Sequence, residues 1–350
     1  MTLTKTLKSK TGKKIYKAGI AGCGRIASSF DLDPLRRYVA THAGAYTKFP
    51  KTQLAAACDI DPEKLKAFGA FWKVKRLYQN LEEMLAKEEL DILSICTWSE
   101  THDELAKLAL RHGVKAIFCE KPVTNQLDKA DELVEACRRA GVVLAVNHSR
   151  RWDTGHQKIK QFLDQGKLGL IHQVNCYYTA GLSNTGTHLF DLLRFFLGEA
   201  QWVDASPQPV FGDKDPTVSG QILFENGVLV SLAGLDVKDY LIFEIDFYGS
   251  KGRLRVTHSG FDLDYWKVGK SSYFSGYKEL VPAKAKIPMK EKQMMVNAVA
   301  DLVASLEKEK ESLCTGEDGR KALEIACAFR ESLKSGGRIS LPLQNRNVGI

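Results

Sequence analysis

Strand-like and helix-like segments alternate without a break over the first 150 residues or so, and this constrains the fold more than anything else in the chain. "IYKAGIAG" (15–22), "QLAAACDI" (53–60), "DILSICT" (91–97), "VKAIFCE" (114–120) and "VVLAVN" (142–147) read as buried strands. Helix signals fill the gaps. Asp61 followed by Pro62 is an N-cap with proline at the first helical position. Asn80 with Glu83, and Thr101 with Glu104, read as capping boxes, and Gly113 reads as a helix stop. "LDKADELVEACRRAG" (127–141) is a further helix. Strands separated in this way by helices form a parallel, doubly wound sheet.

The pattern changes after residue 150. A helix around 154–166 leads to the strand "LIHQVNCYYTA" (170–180), and a short helix follows at about 187–197. "SGQILFE" and "VLVSLAG" are joined through Asn226-Gly227, a hairpin signal. In "YLIFEIDFYG" (240–249), Leu241, Phe243, Ile245 and Phe247 alternate with polar residues, as in a half-buried strand. Helices are expected over about 289–309 and 317–335. The chain therefore divides into a basic flexible tail (1–13), an α/β domain of Rossmann type (14–150) and an α+β domain (151–350) with an open, mostly antiparallel sheet. The second domain is expected to bind substrate and to pair copies of the chain, as a dimer or tetramer, through that sheet, where Ile242 and Tyr248 point to the free face.

Most of the net charge of +8 sits in the N-terminal segment: the first 17 residues hold six lysines and no acid, and the remaining 44 Lys+Arg against 42 Asp+Glu leave only +2. A nearly neutral body is not a nucleic-acid footprint. No apolar run approaches the roughly 18 residues of a membrane span, and no secretory core opens the chain. The eight cysteines have no CxxC spacing and HExxH is absent, so they read as reduced core residues of a cytoplasmic protein without a metal.

Gly22-Cys23-Gly24-Arg25-Ile26-Ala27 is G-x-G-x-x-A directly after the first strand. The first glycine permits a tight turn, the second lets backbone approach a pyrophosphate, and the small third residue lets a helix pack closely with its N-terminus on the phosphates. Asp59 ends the second strand, where a carboxylate accepts from ribose hydroxyls and repels a 2′-phosphate. This favours NAD over NADP. The long separation from the loop is an insertion plus a helix over 30–51.

With that loop upstream, Glu120-Lys121-Pro122 at the end of the fifth strand resembles the signature of the glucose–fructose oxidoreductase / inositol dehydrogenase / rhizopine-catabolism (Gfo/Idh/MocA) family. "TWSETHDELAKLALRHGV", "NHSRRW" (147–152), "GTHLFDLLRFFLG" (186–198) and "GEDGRKALEIACAFRESLKSGGRISLPL" (316–343) resemble further family segments, in family order. The resemblance implies an NAD(P)-dependent oxidoreductase acting on a sugar or cyclitol hydroxyl. Lys121 would hydrogen-bond the reacting oxygen and the nicotinamide ribose, stabilising alkoxide charge, with Pro122 fixing its backbone, often through a cis bond. His188 would be the acid–base group, with Asp191 three residues on. Gly22, Gly24, Arg25, Ile26, Asp59, Thr97, Trp98, His102, Glu120, Lys121 and Asn147 are the expected cofactor contacts. Arg150, Arg151, Asn184, Thr187, His188 and Asp191 are the expected substrate contacts. Two departures stand out. Asn184 replaces an aspartate four residues before the histidine, so that position positions a hydroxyl but carries no proton. Trp98 replaces a proline and either flanks the nicotinamide or adenine or simply packs.

Free hexoses are uncharged, whereas Arg150-Arg151 and Arg36-Arg37 suit phosphate oxygens, although paired arginines also make ordinary interdomain bridges. The expected substrate is therefore a nucleotide sugar such as a UDP-N-acetylhexosamine, oxidised at a secondary ring hydroxyl, as in enzymes of the UDP-N-acetylglucosamine 3-dehydrogenase kind. The alternatives are a free-sugar or inositol dehydrogenase, a glycosidase that uses NAD transiently, and a non-catalytic dinucleotide-binding regulator.

Overall fold

The structure, a computed structural model, describes residues 14–212, 214–289, 292–308 and 310–350; the basic tail 1–13 lies outside the described residues. The chain forms two compact units, one of residues up to Trp152 with Gln293–Arg320, the other of Asp153–Lys292 with Lys321–Ile350.

The first unit contains strands β1 (Tyr16–Ala21), β2 (Thr52–Cys58), β3 (Arg76–Tyr78), β4 (Ile92–Ile95), β5 (Ala116–Cys119) and β6 (Val143–Val146). They pair in parallel in the order β3-β2-β1-β4-β5-β6. β4 and β5 are buried along their whole length. That is why they read as continuous apolar runs rather than alternating ones. The helices are α1 (His42–Lys48), α2 (Pro62–Trp72), α3 (Leu81–Lys87), α4 (His102–Arg111) and α5 (Leu127–Ala140). Asp61 caps α2 by accepting from Glu63 and Lys64 N–H, and Asn80 caps α3 by accepting from Glu83 N–H. The capping box expected at Thr101 does not form. Its hydroxyl turns back to the Trp98 carbonyl and to Thr97 Oγ1 instead.

The helix expected directly behind the glycine loop is interrupted. Ser28 N–H bonds to the Gly24 carbonyl for one turn, and the chain then loops out. It resumes as α1, where His42 and Ala43 N–H bond back to the carbonyls of Ile26 and Ala27. Asp31 anchors the looped-out segment, accepting from Ala40 N–H at 2.7 Å and from the Thr41 hydroxyl at 2.7 Å. Thr41 in turn caps α1 by accepting from Gly44 N–H at 3.0 Å.

The second unit opens with α6 (Thr154–Asp164), β7 (Ile171–Tyr178) and α7 (Thr187–Leu197). Strands β8 (Ala200–Phe211), β9 (Thr217–Phe224), β10 (Leu229–Gly234), β11 (Phe243–Gly249), β12 (Gly252–Thr257), β13 (Asp262–Lys270) and β14 (Lys278–Ala283) follow. The sheet order is β14-β13-β12-β11-β7-β10-β9-β8-β15, with β15 at Ile339–Ser340. Every pair is antiparallel except β7 with β10. Phe243, Ile245 and Phe247 are buried as the alternation requires, but Leu241 precedes the strand and is exposed.

Helix α8 (Met294–Leu306) returns to the first unit and packs on α1, β5 and β6. Trp152 Nε1–H donates to Asp301 at 3.0 Å, and Asn297 donates to the Trp152 carbonyl at 3.0 Å. A contiguous division at residue 150 does not anticipate this return. The strand–helix alternation ends with β6, and nothing local marks α8 as part of the first core. The last long helix is α9 (Gly316–Ser335).

Candidate active site

The glycine loop follows β1 at the carboxyl edge of the parallel sheet, the edge where ligands bind in open α/β folds. Gly22 has φ +90°, and a Cβ there would lie 2.8 Å from the Cys96 backbone, so only glycine fits. At Gly24 an added Cβ would meet nothing within 4 Å. The protein itself does not demand that glycine, which leaves its backbone open to a group arriving from outside. Asp59 Oδ2 accepts from Cys23 N–H at 2.6 Å and Oδ1 from Asp61 N–H at 2.9 Å. The carboxylate thus ties the loop to the end of β2, and each oxygen keeps a second lone pair. Ile26 is half-buried and Arg25 is exposed, its guanidinium 4.7 Å from the Phe30 ring.

Beyond β4, Thr97 is half-buried and Trp98 is 85% exposed. His102 is buried and spans two segments. Its Nε2 lies 3.1 Å from the Thr97 carbonyl and its Nδ1 3.0 Å from the Pro122 carbonyl, with Cys119 Sγ 3.4 Å from Nδ1. Burial pushes its pKa down, and this outweighs the hydrogen bond to Thr97 and the charge of Glu120. His102 thereby braces the turn that carries Lys121. The Lys121–Pro122 bond is cis, and Lys121 is half-buried at the end of β5.

Behind Lys121 lies a buried polar chain that sequence reasoning missed. His42, the first residue of α1, brings Nε2 to 2.8 Å from Glu120 Oε1 and Nδ1 to 2.8 Å from Ser94 Oγ. Tyr46 OH is 2.8 Å from the same Ser94 oxygen, and Asn147 Nδ2 donates to Glu120 Oε1 at 2.6 Å. Burial alone pushes the Glu120 carboxyl up. The hydrogen bond and attraction of His42, the Asn147 bond and the Lys121 charge outweigh it, and the group sits below the usual carboxylate range. The available clue was spacing: His42 and Tyr46 lie four apart, on one face of a helix that has to pack on the sheet.

Asn147 is buried, and its Oδ1 has no hydrogen-bond partner among the described residues. A buried amide oxygen of this kind calls for a donor. Arg150 is half-buried on the turn that follows. Arg151 departs from the expected substrate contact. It is 6% exposed, pairs with Asp318 at 3.0 Å and donates to the Leu313 carbonyl at 3.1 Å, so its fork serves the first unit's own packing.

In the second unit, β7 passes into α7 through a helical turn over Gly181–Gly186. Four consecutive N–H groups at its start are taken by one neighbouring segment. Gly181 N–H donates to Thr217 Oγ1 at 2.8 Å and Leu182 N–H to the Pro216 carbonyl at 2.9 Å. Ser183 and Asn184 N–H donate to the two oxygens of Asp215 at 2.8 and 3.0 Å. Asn184 is exposed and His188 half-buried, whereas Asp191 is buried. Thr187 is fully buried and donates to the Ser183 carbonyl at 2.8 Å, so its hydroxyl braces the helix rather than meeting a substrate.

Residues 16–148 match the profile of an oxidoreductase family's NAD-binding Rossmann fold, and residues 160–341 match the C-terminal alpha/beta domain of the same family. The chain belongs to the Gfo/Idh/MocA family. Among its curated relatives, a D-apiose dehydrogenase of Paraburkholderia graminis is 26% identical over 95% of this chain and 91% of its own. An inositol 2-dehydrogenase of Burkholderia vietnamiensis is 29% identical over 64% of this chain and 66% of its own. The WlbA dehydrogenase from Bordetella pertussis, solved with NADH and UDP-GlcNAcA, superposes with a TM-score of 0.77 at 23% identity, over 95% of this chain and all of that one.

The match of the first unit to the family's NAD-binding Rossmann fold makes NAD the cofactor. The first unit suits it: open space at Gly24, the Asp59 carboxylate just beyond β2 and an unsatisfied amide oxygen at Asn147. All eight cysteines are buried free thiols. Burial pushes Cys96 and Cys119 well up, so they stay protonated. Among the described residues no helix is long and apolar enough to cross a membrane.

Proposed function

We propose that this member of the family oxidises a secondary ring hydroxyl of a neutral sugar or cyclitol to a ketone. The observation that carries the reading is Lys121, an ammonium presented at the ligand-binding edge of the sheet directly after a buried carboxylate that His42 and Asn147 hold as an anion. Such a fixed cation stabilises charge that develops on an alcohol oxygen. NAD, when bound, supplies the hydride acceptor. Gly22 and Gly24 leave backbone open to its phosphates, Asp59 receives ribose hydroxyls and Asn147 Oδ1 accepts a donor. Lys121 steadies the reacting oxygen, His188 takes its proton, and Asn184 orients a neighbouring hydroxyl.

Neutral substrates are favoured because two of the four arginines that would suit a diphosphate have carboxylate partners in the first unit. Arg151 is committed to Asp318, Arg36 pairs with Asp33 at 3.4 Å, and Asp215 fills the start of the helical run at 181–184. The curated relatives named above act on apiose and inositol. A UDP-linked hexose or N-acetylhexosamine is the second reading, supported by exposed Arg25 in the phosphate loop and exposed Arg37 in the segment that follows it in the chain. The reading includes self-association through the open face of the nine-stranded sheet, where Tyr177 is exposed and Arg253 lies over Tyr248 and Trp266.

The deciding experiment follows the reduced-nicotinamide absorbance over a panel of neutral sugars, cyclitols and UDP-sugars. Steady reduction of NAD, with the highest kcat/KM on an uncharged compound, is expected. More efficient turnover of a UDP-sugar would move the assignment to the second reading. Substrate cleavage without net reduction would mark a glycosidase, and binding of NAD without turnover of any compound would mark a regulator.

A further inference from the structure

A helix leaves its first four N–H groups without partners inside the helix. In the run from residue 181 through α7, which opens as a π-helical turn, the first four are taken by residues 215–217, and two of them by one carboxylate using separate oxygens. Two-point attachment fixes orientation as well as distance, and a negative charge is favoured at a helix start. The local backbone is shaped to admit that carboxylate. Ala180 and Gly181 have φ +65° and +82°, and a Cβ on Gly181 would lie 2.1 Å from Asp215 Oδ2. Any residue but glycine at 181 would drive Asp215 out. From the turn so fixed, Thr187 bonds back to Ser183, and the next residue is His188.

We propose that Asp215 is a positioning residue of the substrate unit, setting where the Asn184 amide and the His188 imidazole stand. It comes from the segment before β9, some 30 residues beyond the turn it holds, and its two oxygens are engaged by backbone N–H groups. The proposal rests on the acid–base reading of His188.

Asp215→Asn keeps the side-chain shape but turns an NH2 toward one of the two N–H groups, which breaks the two-point seat. Asp215→Glu keeps the charge. For Asp215→Asn, kcat per folded protein is expected to fall about 10- to 100-fold, with a raised sugar KM and unchanged NAD affinity by calorimetry. Asp215→Glu is expected to recover part of kcat. A merely structural role would lower the melting temperature and leave kcat and KM of the folded protein alone, and that result would overturn the proposal. Should Asp215→Asn fail to fold, Thr217→Val removes only the acceptor of Gly181; a smaller fall in kcat supports the proposal and an unchanged kcat overturns it. His188→Asn separates the two ideas. Normal turnover there sinks the acid–base reading, whereas lost turnover there with normal Asp215 variants sinks only the role of Asp215.

Discussion

His42 Nε2 stands 2.8 Å from Glu120 Oε1, and both residues are buried, 78 positions apart in the chain. The contact joins the helix behind the phosphate loop to the strand end that bears Lys121. Removing the imidazole leaves a buried carboxylate short of a partner. His42→Ala is expected to cost about 2–4 kcal/mol of stability, the scale of losing a buried hydrogen bond to a charged group. Denaturant unfolding measures it. A loss well under 1 kcal/mol would mean that the contact is not made in solution.

The pH dependence of that carboxylate has a definite sign. Glu120 is held below its unfolded value, which is near 4.3. It therefore contributes stability that is present above that value and is lost as pH falls through the lower folded one. Thermal melts of wild type and Glu120→Gln should differ at neutral pH and converge in acid. A difference that persists unchanged well below pH 4 would contradict the ionised, hydrogen-bonded state.

Lys121→Ala should bind NAD close to normally, because the loop at Gly22 and Gly24 is intact, while turnover falls at least about 100-fold. His188→Asn should fall comparably and lose the pH limb that reports a base. Calorimetry with NAD and pH–rate profiles check both. Asn184→Ala acts through orientation alone and is expected to lose less.

Asp59 has two duties, so its replacement should show two effects. As a carboxylate at the ribose position it should make kcat/KM for NAD exceed that for NADP. As the acceptor of Cys23 N–H it also holds the phosphate loop. Asp59→Ala is therefore expected to narrow the preference and to weaken binding of both dinucleotides. A wild-type preference for NADP would refute the ribose assignment.

Arg151 should behave as a brace. Arg151→Ala leaves Asp318 without its 3.0 Å partner, and its expected effect is a lower melting temperature with the sugar KM unchanged. A raised KM without loss of stability would return Arg151 to the substrate site.

Local grammar determined a good part of this protein. The apolar runs that became β4 and β5 are buried on both faces, and those that became β1 and β6 nearly so, so their composition alone marks a parallel sheet. Asp61-Pro62 and Asn80 cap helices where they stand in sequence, because a cap acts within three residues. Gly22 is glycine because of a backbone conformation, and Glu120-Lys121-Pro122 is contiguous. Tertiary structure alone decided the rest, since it depends on contacts between residues far apart in the chain. The partner of His42 lies 78 residues away and that of the Asn184 N–H 31 residues away. Arg151 reads as a free fork until Asp318 arrives from a segment that crosses back, with α8, into the first unit. Thr101 has the sequence of a cap, yet the turn before α4 gives its hydroxyl a nearer carbonyl at Trp98. A side chain's type is fixed by the sequence, but its free lone pairs and charges are fixed by whatever the fold brings beside it.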